Sequence, residues 1–345
     1  MSFNWDFNYP SRRMPVMARQ VVATSQPLAS QAGLQMLAQG GNAIDAALAA
    51  AITLTVVEPT MNGIGSDAFC ILSDADGTLH GLNASGRSPA SWSPERFAGQ
   101  RQMPTKGWDA VTVPGCVSAW VTLSKRFGRL PFADLFQPAI GYAREGWLVP
   151  PIVAASWDKA VSAYADQPDW QEAFLRNGAA PRAGELFRFE EQARTLELIA
   201  ASEGEAFYRG ELATAIVDHA AKGGGAMTVD DLAAHKPEWV TPLQLDYRGQ
   251  SLHEIPPNGQ GITAQIALGI LRHFDLARLD PDGIQSLHLQ IEAMKLAYAD
   301  AFRYVSDPET RDIDFKMLLD DVYLQQRSEL IDPQRAIKHP SGQPG

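Results

Sequence analysis

The chain has 345 residues, 45% of them hydrophobic and 20% charged, which suffices for a sizeable core in one large domain or two small ones and implies no disorder. Its formal net charge of -11 argues against a nucleic-acid partner and against an anionic membrane surface, both of which call for a basic face. The two cysteines, Cys70 and Cys116, are too few for a disulfide scaffold and sit in apolar surroundings, so they read as buried free thiols.

Residues 1–20 are polar, contain proline and read as an N-terminal arm. They hold no apolar segment of the kind a secretory signal needs, which predicts a cytoplasmic protein. The main domain is expected over 21–330, opening with a short strand at Val21–Thr24. Ser25 is placed to cap the next helix, Pro27 falls in its first turn and Gly40-Gly41 closes it. A second helix, Ile44–Val57, is almost wholly small and apolar, with Asn42 at its cap. It is too short to span a bilayer, which takes about 20 residues. Glu58-Pro59 ends it, and Asn62-Gly63-Ile64-Gly65 supplies residues free to take positive φ. A hairpin follows, Ala68–Leu72 and Thr78–Asn83 around Asp74–Gly77. Arg87 lies just past the end of that hairpin, amid little side-chain bulk.

Trp92–Lys106 is irregular, Ala110–Val113 reads as a strand broken by Pro114-Gly115, and Val117–Phe127 as a helix. From Phe132 to Trp170 the pattern is helical, with interruptions at Gly146 and Pro150-Pro151. Gln171–Arg176, Glu190–Ala200 and Leu212–Lys222 are helical as well, and Gly223-Gly224-Gly225 stops the last of them. Because that glycine run follows a helix instead of opening one, it is not a phosphate loop. Strands are expected at Val240–Tyr247 and Ser251–Ile255, a loop at Pro256–Gly261 and a helix at Ala264–Phe274. The long helix Ile284–Val305 carries Leu287, Ile291, Met294, Leu296, Ala297 and Tyr298 at helical spacing, assigned to packing rather than to a binding surface. Residues 331–345 read as an exposed, linker-like tail. Strands arranged as hairpins favour antiparallel sheets covered by helices.

The chemistry legible in the residues alone is sparse. Ser66, in Ile64-Gly65-Ser66-Asp67, lacks the spacing of a nucleophile elbow. The seven histidines show no metal-ligand spacing, and no dinucleotide or nucleoside-triphosphate fingerprint is present, so neither metal nor cofactor is predicted. Taken by itself, Arg87 reads as a solvated loop charge.

Longer blocks change that reading. QPLASQAGLQMLAQGGNAIDAALAAAITLTVVEPTMNGIGSDAFCIL, VTVPGCVSAW, FGRLPFADLFQPAIGYAREGW, EAFYRGELATAIV, MTVDDLAAHKPEW, PPNGQGITAQIALGIL and EAMKLAYADAFRYVSDP resemble, in order, the blocks of the γ-glutamyltransferase (γ-glutamyl transpeptidase) family. The resemblance implies an α+β fold, the four-layer αββα sandwich of the N-terminal nucleophile hydrolases, shared with a smaller subunit. It also implies a precursor that cleaves itself, exposing an N-terminal threonine on the smaller, C-terminal subunit. That threonine is the nucleophile and its own α-amine the base. By this reading the chain is the large subunit and holds no catalytic residue of its own. It ends at a processing site, Gly345, and forms an obligate heterodimer, or a dimer of heterodimers, without a cofactor.

The family's arginine, in a pattern like Arg-Glu-x-Ala-Pro, clamps the α-carboxylate of the γ-glutamyl group through a bidentate pairing. This sequence has Ser85-Gly86-Arg87-Ser88-Pro89, which makes Arg87 the candidate substrate-binding residue, displaced about 6–7 Å along an extended segment. The acidic neighbour is absent. The expected activity is cleavage of a γ-glutamyl amide, as in glutathione-like compounds. The alternatives are oxamate or a glutaryl side chain, and a noncatalytic relative kept for assembly.

Overall fold

The structure, a computed structural model, describes residues 16–310 and 313–344. Gly345, the expected processing site, lies outside the described residues, as do residues 1–15 of the expected arm. In chain order the elements begin with α1 (Pro27–Ala38), α2 (Ala43–Val57), β1 (Ala68–Ser73), β2 (Leu79–Ala84), α3 (Cys116–Phe127), α4 (Gln137–Glu145) and β3 (Trp147–Leu148). Then come α5 (Pro151–Ala163), α6 (Pro168–Phe174), β4 (Leu186–Phe187), α7 (Glu190–Ser202), α8 (Glu205–Tyr208), α9 (Glu211–Lys222) and α10 (Val229–Ala234). The last are β5 (Glu238–Val240), β6 (Leu243–Tyr247), β7 (Gln250–Glu254), α11 (Ile262–Leu271), α12 (Ile284–Tyr304) and α13 (Asp321–Ser328). The class is α+β, and every strand pairing among the described residues is antiparallel.

The chain forms two compact units, the first from residues up to Ile64 together with Trp120–His219, the second from Gly65–Ala119 together with Ala220–Gly345. In the first unit α1 and α2 pack together. Gln26 caps α1, accepting from the amides of Leu28 and Ala29, because the expected cap, Ser25, instead donates to Glu58 at 2.6 Å. Val21–Thr24 pairs with no strand among the described residues; Val22 packs over Gly33 of α1. Asn42 and Asp45 close a reciprocal capping box at the start of α2. Asp45 is fully buried and also accepts from the Arg129 amide at 3.1 Å, so its carboxylate is held by backbone N–H groups. Around the β3–β4 pair, Trp147, Trp157, Phe174 and Phe187 form an aromatic nest.

The second unit holds a sheet ordered β1-β2-β5 and a separate β6-β7 hairpin. One strand was expected across Val240–Tyr247, but Thr241-Pro242 divides it, since proline cannot donate to a ladder. Arg248 (φ 49) and Gly249 (φ 81) make the tight turn between β6 and β7, both in the left-handed region that primed hairpin turns require. Residues 110–113 form no strand: a 3-10 turn covers Trp108–Ala110, and Val113 makes one lateral bond, its amide donating to the Arg87 carbonyl at 2.9 Å. The core joins Ile262, Ile266 and Ile270 of α11 with Leu289, Ala293, Leu296 and Ala297 of α12 and Leu324 of α13.

One expectation fails here and another holds only in part. Of the periodic residues on α12, Leu296 and Ala297 are buried, but Leu287, Ile291, Met294 and Tyr298 are exposed, together with Ile284 and Phe302. Helical spacing marked an apolar face correctly and its destination wrongly. Residues 331–344, expected as an exposed linker, are exposed at 333–336, 338, 340 and 343 but anchored at a few points. Ile331 is buried, His339 Nε2 stands 2.7 Å from Glu292 Oε2, and the Gly342 amide donates to Asp300 Oδ1 at 2.7 Å. Two buried carboxylates on α12 need partners, and the tail supplies them.

Candidate functional site

The candidate site lies wholly in the second unit, where a cleft of about 730 Å3 is lined by the loop after β2, by residues around the end of α10 and the start of β5, by Asn258 and by 307–309. Arg87 is on the first of these. Its loop lies flat for a steric reason: a Cβ on Gly86 would overlap the Val113 carbonyl, and one on Gly115 would overlap the carbonyl of Ala84. The amides of Gly115 and Cys116 both donate to the Ser66 carbonyl, at 3.0 and 2.9 Å, which ties the Pro114-Gly115 break to the glycine turn before β1. Asp67 accepts from the Gly86 amide at 3.0 Å. Burial raises the Asp67 pKa above the ordinary carboxylate range, and that one bond only partly offsets it.

Polar side chains then fix the loop from its other side. Asn83 Oδ1 accepts from the Ser85 amide at 2.9 Å, Asn83 Nδ2 donates to Asn258 Oδ1 at 2.9 Å, and Asn258 Nδ2 donates to Ser85 Oγ at 2.9 Å. Further along, the Ala90 amide donates to Asp231 at 2.8 Å, and Asp231 is also the capping-box partner of Thr228 at the start of α10. The segment that carries Arg87 is therefore held at 83, 85, 86, 87 and 90.

Arg87 itself meets three carboxylates: Glu309 at 2.9 Å, Glu238 at 3.4 Å and Asp307 at 3.6 Å. All are substantially exposed. Partial burial acts to lower the arginine's pKa, but Glu309, Asp307 and Glu238 outweigh it and raise it above its ordinary value. The acidic group absent beside Arg87 in sequence thus arrives in space, from β5 and from the segment after α12. His235, which follows α10, also lines the cleft, with Nε2 at 2.9 Å from Ser118 Oγ. Ser118 donates its proton to the Gly115 carbonyl at 2.6 Å, so it accepts from His235 Nε2–H. Burial, then the positive charge of Arg87, lowers the His235 pKa and keeps the ring neutral near pH 7.

Sequence reasoning singled out Arg87 alone. Glu238, Asp307, Glu309, His235 and Asn258 were missed because each lies far from Arg87 along the chain. Four of them do lie within the resemblance blocks, His235 and Glu238 in MTVDDLAAHKPEW, Asn258 in PPNGQGITAQIALGIL and Asp307 in EAMKLAYADAFRYVSDP, but nothing in those blocks singled them out as site residues. Cys116 is buried, which pushes its thiol up to about 12 and leaves it unreactive near neutral pH; Cys70, expected buried, is only half-buried. Among the described residues no group of three or more His, Cys, Asp or Glu side chains is placed to hold a metal ion, and no helix is long and apolar enough to cross a membrane.

Known proteins share both the sequence pattern and the fold of this chain. The sequence model of the family described as Gamma-glutamyltranspeptidase matches residues 29–344. The glutathione hydrolase-like YwrD proenzyme of Bacillus subtilis is 38% identical over 315 residues, covering 91% of this chain and 60% of the relative. The oxamate amidohydrolase proenzyme of Klebsiella pneumoniae is 36% identical over 312 residues, covering 88% and 58%. Among solved structures, cephalosporin acylase from Bacillus halodurans superposes with a TM-score of 0.92 at 45% identity, covering 100% of this chain and 65% of that one. Helicobacter pylori gamma-glutamyltranspeptidase gives 0.89 at 27% identity, covering 94% and 95%. The chain spans about three fifths of the length of the curated relatives it matches. These neighbours carry the α+β N-terminal nucleophile hydrolase fold, and this chain shares it.

Proposed function

Because the chain belongs to the γ-glutamyltranspeptidase family, we propose that it is the large, substrate-clamping part of a self-processing amide hydrolase or acyltransferase. The nucleophile is the N-terminal threonine of a smaller subunit cut from the same precursor. That threonine's hydroxyl attacks the substrate amide carbon while its own α-amine takes the proton. The amine leaving group departs with a proton, and water or a second amine resolves the acyl ester. In this scheme the chain's task is to hold the acyl group's carboxylate. Arg87 does so with a planar fork of N–H donors, presented on a loop without side-chain bulk at the edge of the cleft.

The observation that carries the reading is the ring of Glu238, Asp307 and Glu309 around Arg87. A bare monoanion entering there meets the attraction of one guanidinium and the repulsion of three carboxylates. An acyl group bearing an ammonium beside its carboxylate meets a partner for each charge. This favours γ-glutamyl amides. A second reading, an oxamate or glutaryl amide, is favoured by Ser88 standing beside Arg87 where the family pattern has glutamate. It also agrees with the names of the oxamate and cephalosporin-acylase relatives.

The test is a rate comparison on a γ-glutamyl anilide, a glutaryl anilide and oxamate, using enzyme matured from the full-length precursor. Arg87→Ala should raise KM by an amount equivalent to roughly 2–5 kcal/mol, with self-cleavage intact, and Arg87→Lys should restore only part of the loss. Glu309→Gln should narrow the preference for the γ-glutamyl over the glutaryl anilide. Unchanged kcat/KM in Arg87→Ala would assign the carboxylate clamp to the smaller subunit.

A further inference from the structure

The helix α12 is built inside out. Its inward face buries two carboxylates, Glu292 and Asp300, each held by the tail or by α13, while its outward face carries Ile284, Leu287, Ile291, Met294, Tyr298 and Phe302 in water. Ile284 is 90% exposed and Phe302 85%. A helix that faces solvent shows the reverse arrangement. The six outward residues recur at steps of three or four along most of the helix, the spacing of a seam that meets another element lengthwise. One continuous apolar stripe on so acidic a chain marks an interaction surface.

The surroundings of the stripe indicate what covers it. A groove of about 450 Å3 runs along it, and one of its walls is Lys338 and His339 of the tail. His339 is anchored through Glu292, and the tail's next anchor, Gly342 on Asp300, also bonds the Tyr304 hydroxyl through its carbonyl, O to O 2.6 Å. The last described stretch of chain is thus laid along this same helix. Polypeptide continuing past it would start beside the groove, and about two fifths of each curated relative's own length lies outside the matched region.

We infer that the outward face of α12, centred on Ile291, Met294, Tyr298 and Phe302, is the seat of the smaller subunit, which begins beside it and covers it as the precursor folds. This rests on the two-subunit reading proposed above and adds where the two chains join. Before cleavage the contact is intramolecular, so the effective concentration is high and the seam forms without a diffusive search. After cleavage the buried stripe keeps the product chains together.

The experiment uses the full-length precursor with Phe302→p-benzoylphenylalanine, which keeps the phenyl ring and adds a benzoyl group at a position 85% exposed. Irradiation followed by peptide mapping should give a cross-link to sequence beyond residue 345. A cross-link to a second copy of this chain, or none at all, would overturn the inference. The two readings fail separately: a precursor that stays uncut refutes self-processing, while a cross-link beyond residue 345 still supports the docking face. A precursor that is cut normally without such a cross-link refutes the docking face alone. As a second measurement, Ile291→Glu combined with Phe302→Glu should lose the smaller subunit from the large one during gel filtration of the matured enzyme. Co-elution as tight as in the parent would overturn the inference.

Discussion

Arg87 and Arg327 each face carboxylates in the same unit, yet the first side chain is 56% exposed and the second 4%. Around Arg87 the three acidic partners are hydrated, so each pair is worth about 0–1 kcal/mol and can be exchanged for another anion at little cost. Arg327 donates from Nε to Asp300 at 3.1 Å and from Nη2 to the Pro340 carbonyl at 2.8 Å, with Asp300 fully buried. There an exchange would strand a charge out of water. The same chemistry is therefore exchangeable where water can enter and architectural where it cannot.

Removing the buried cation should have the largest effect. Arg327→Met leaves Asp300 buried without its counter-charge and should lower stability to denaturant by about 3–5 kcal/mol. A loss below about 1 kcal/mol would put Arg327 in the class of Arg87 and dissolve the comparison.

Acid should reach the buried cluster next. Burial alone would raise the Glu292 pKa, but its bonds from Lys295, His339 and the Ile337 amide hold it down to about 2, against an ordinary value of 4.5. A carboxylate depressed in the folded state contributes its full stability above about pH 4.5 and loses it as the pH falls toward about 2. The contribution is at most on the order of 3 kcal/mol. Melting temperature against pH should show this acid limb, and Glu292→Gln should flatten it. A parent protein with no limb between those values would contradict the assignment.

The exposed cluster should respond least. Glu309→Gln and Arg87→Ala should each change stability by no more than about 0.5 kcal/mol, while altering substrate preference. If either cost as much stability as Arg327→Met, the Arg87 cluster would be structural and its place in the cleft incidental.

What could be read in advance follows the same division. The capping box of Asn42 and Asp45 was half-visible, because capping is local and Asn42 stands at the right offset before an apolar run. The hairpin of β1 and β2 came within one residue at each end for the same reason. Val21–Thr24 and Ala110–Val113 looked like strands because apolar runs do, but a strand needs a partner and neither pairs with a strand among the described residues. Arg87 emerged only through the resemblance. Its carboxylate ring did not emerge at all, since Glu238 and Glu309 reach it across long stretches of chain. The outward face of α12 was legible as apolar, but periodicity cannot tell whether the element that covers such a face belongs to the same polypeptide.

The two glycines beneath the Arg87 loop bear on how this site can change over generations. Every amino acid reachable from a glycine codon by a single base change carries a Cβ, and at 86 or 115 that atom would strike a backbone carbonyl. Positions 86 and 115 are closed to mutational drift, whereas Ser88 and Ala90, on the same loop and in the same cleft, face no such barrier. Divergence of the cleft is thus channelled into residues beside the arginine, and a laboratory library built to vary it gains most by leaving both glycines fixed.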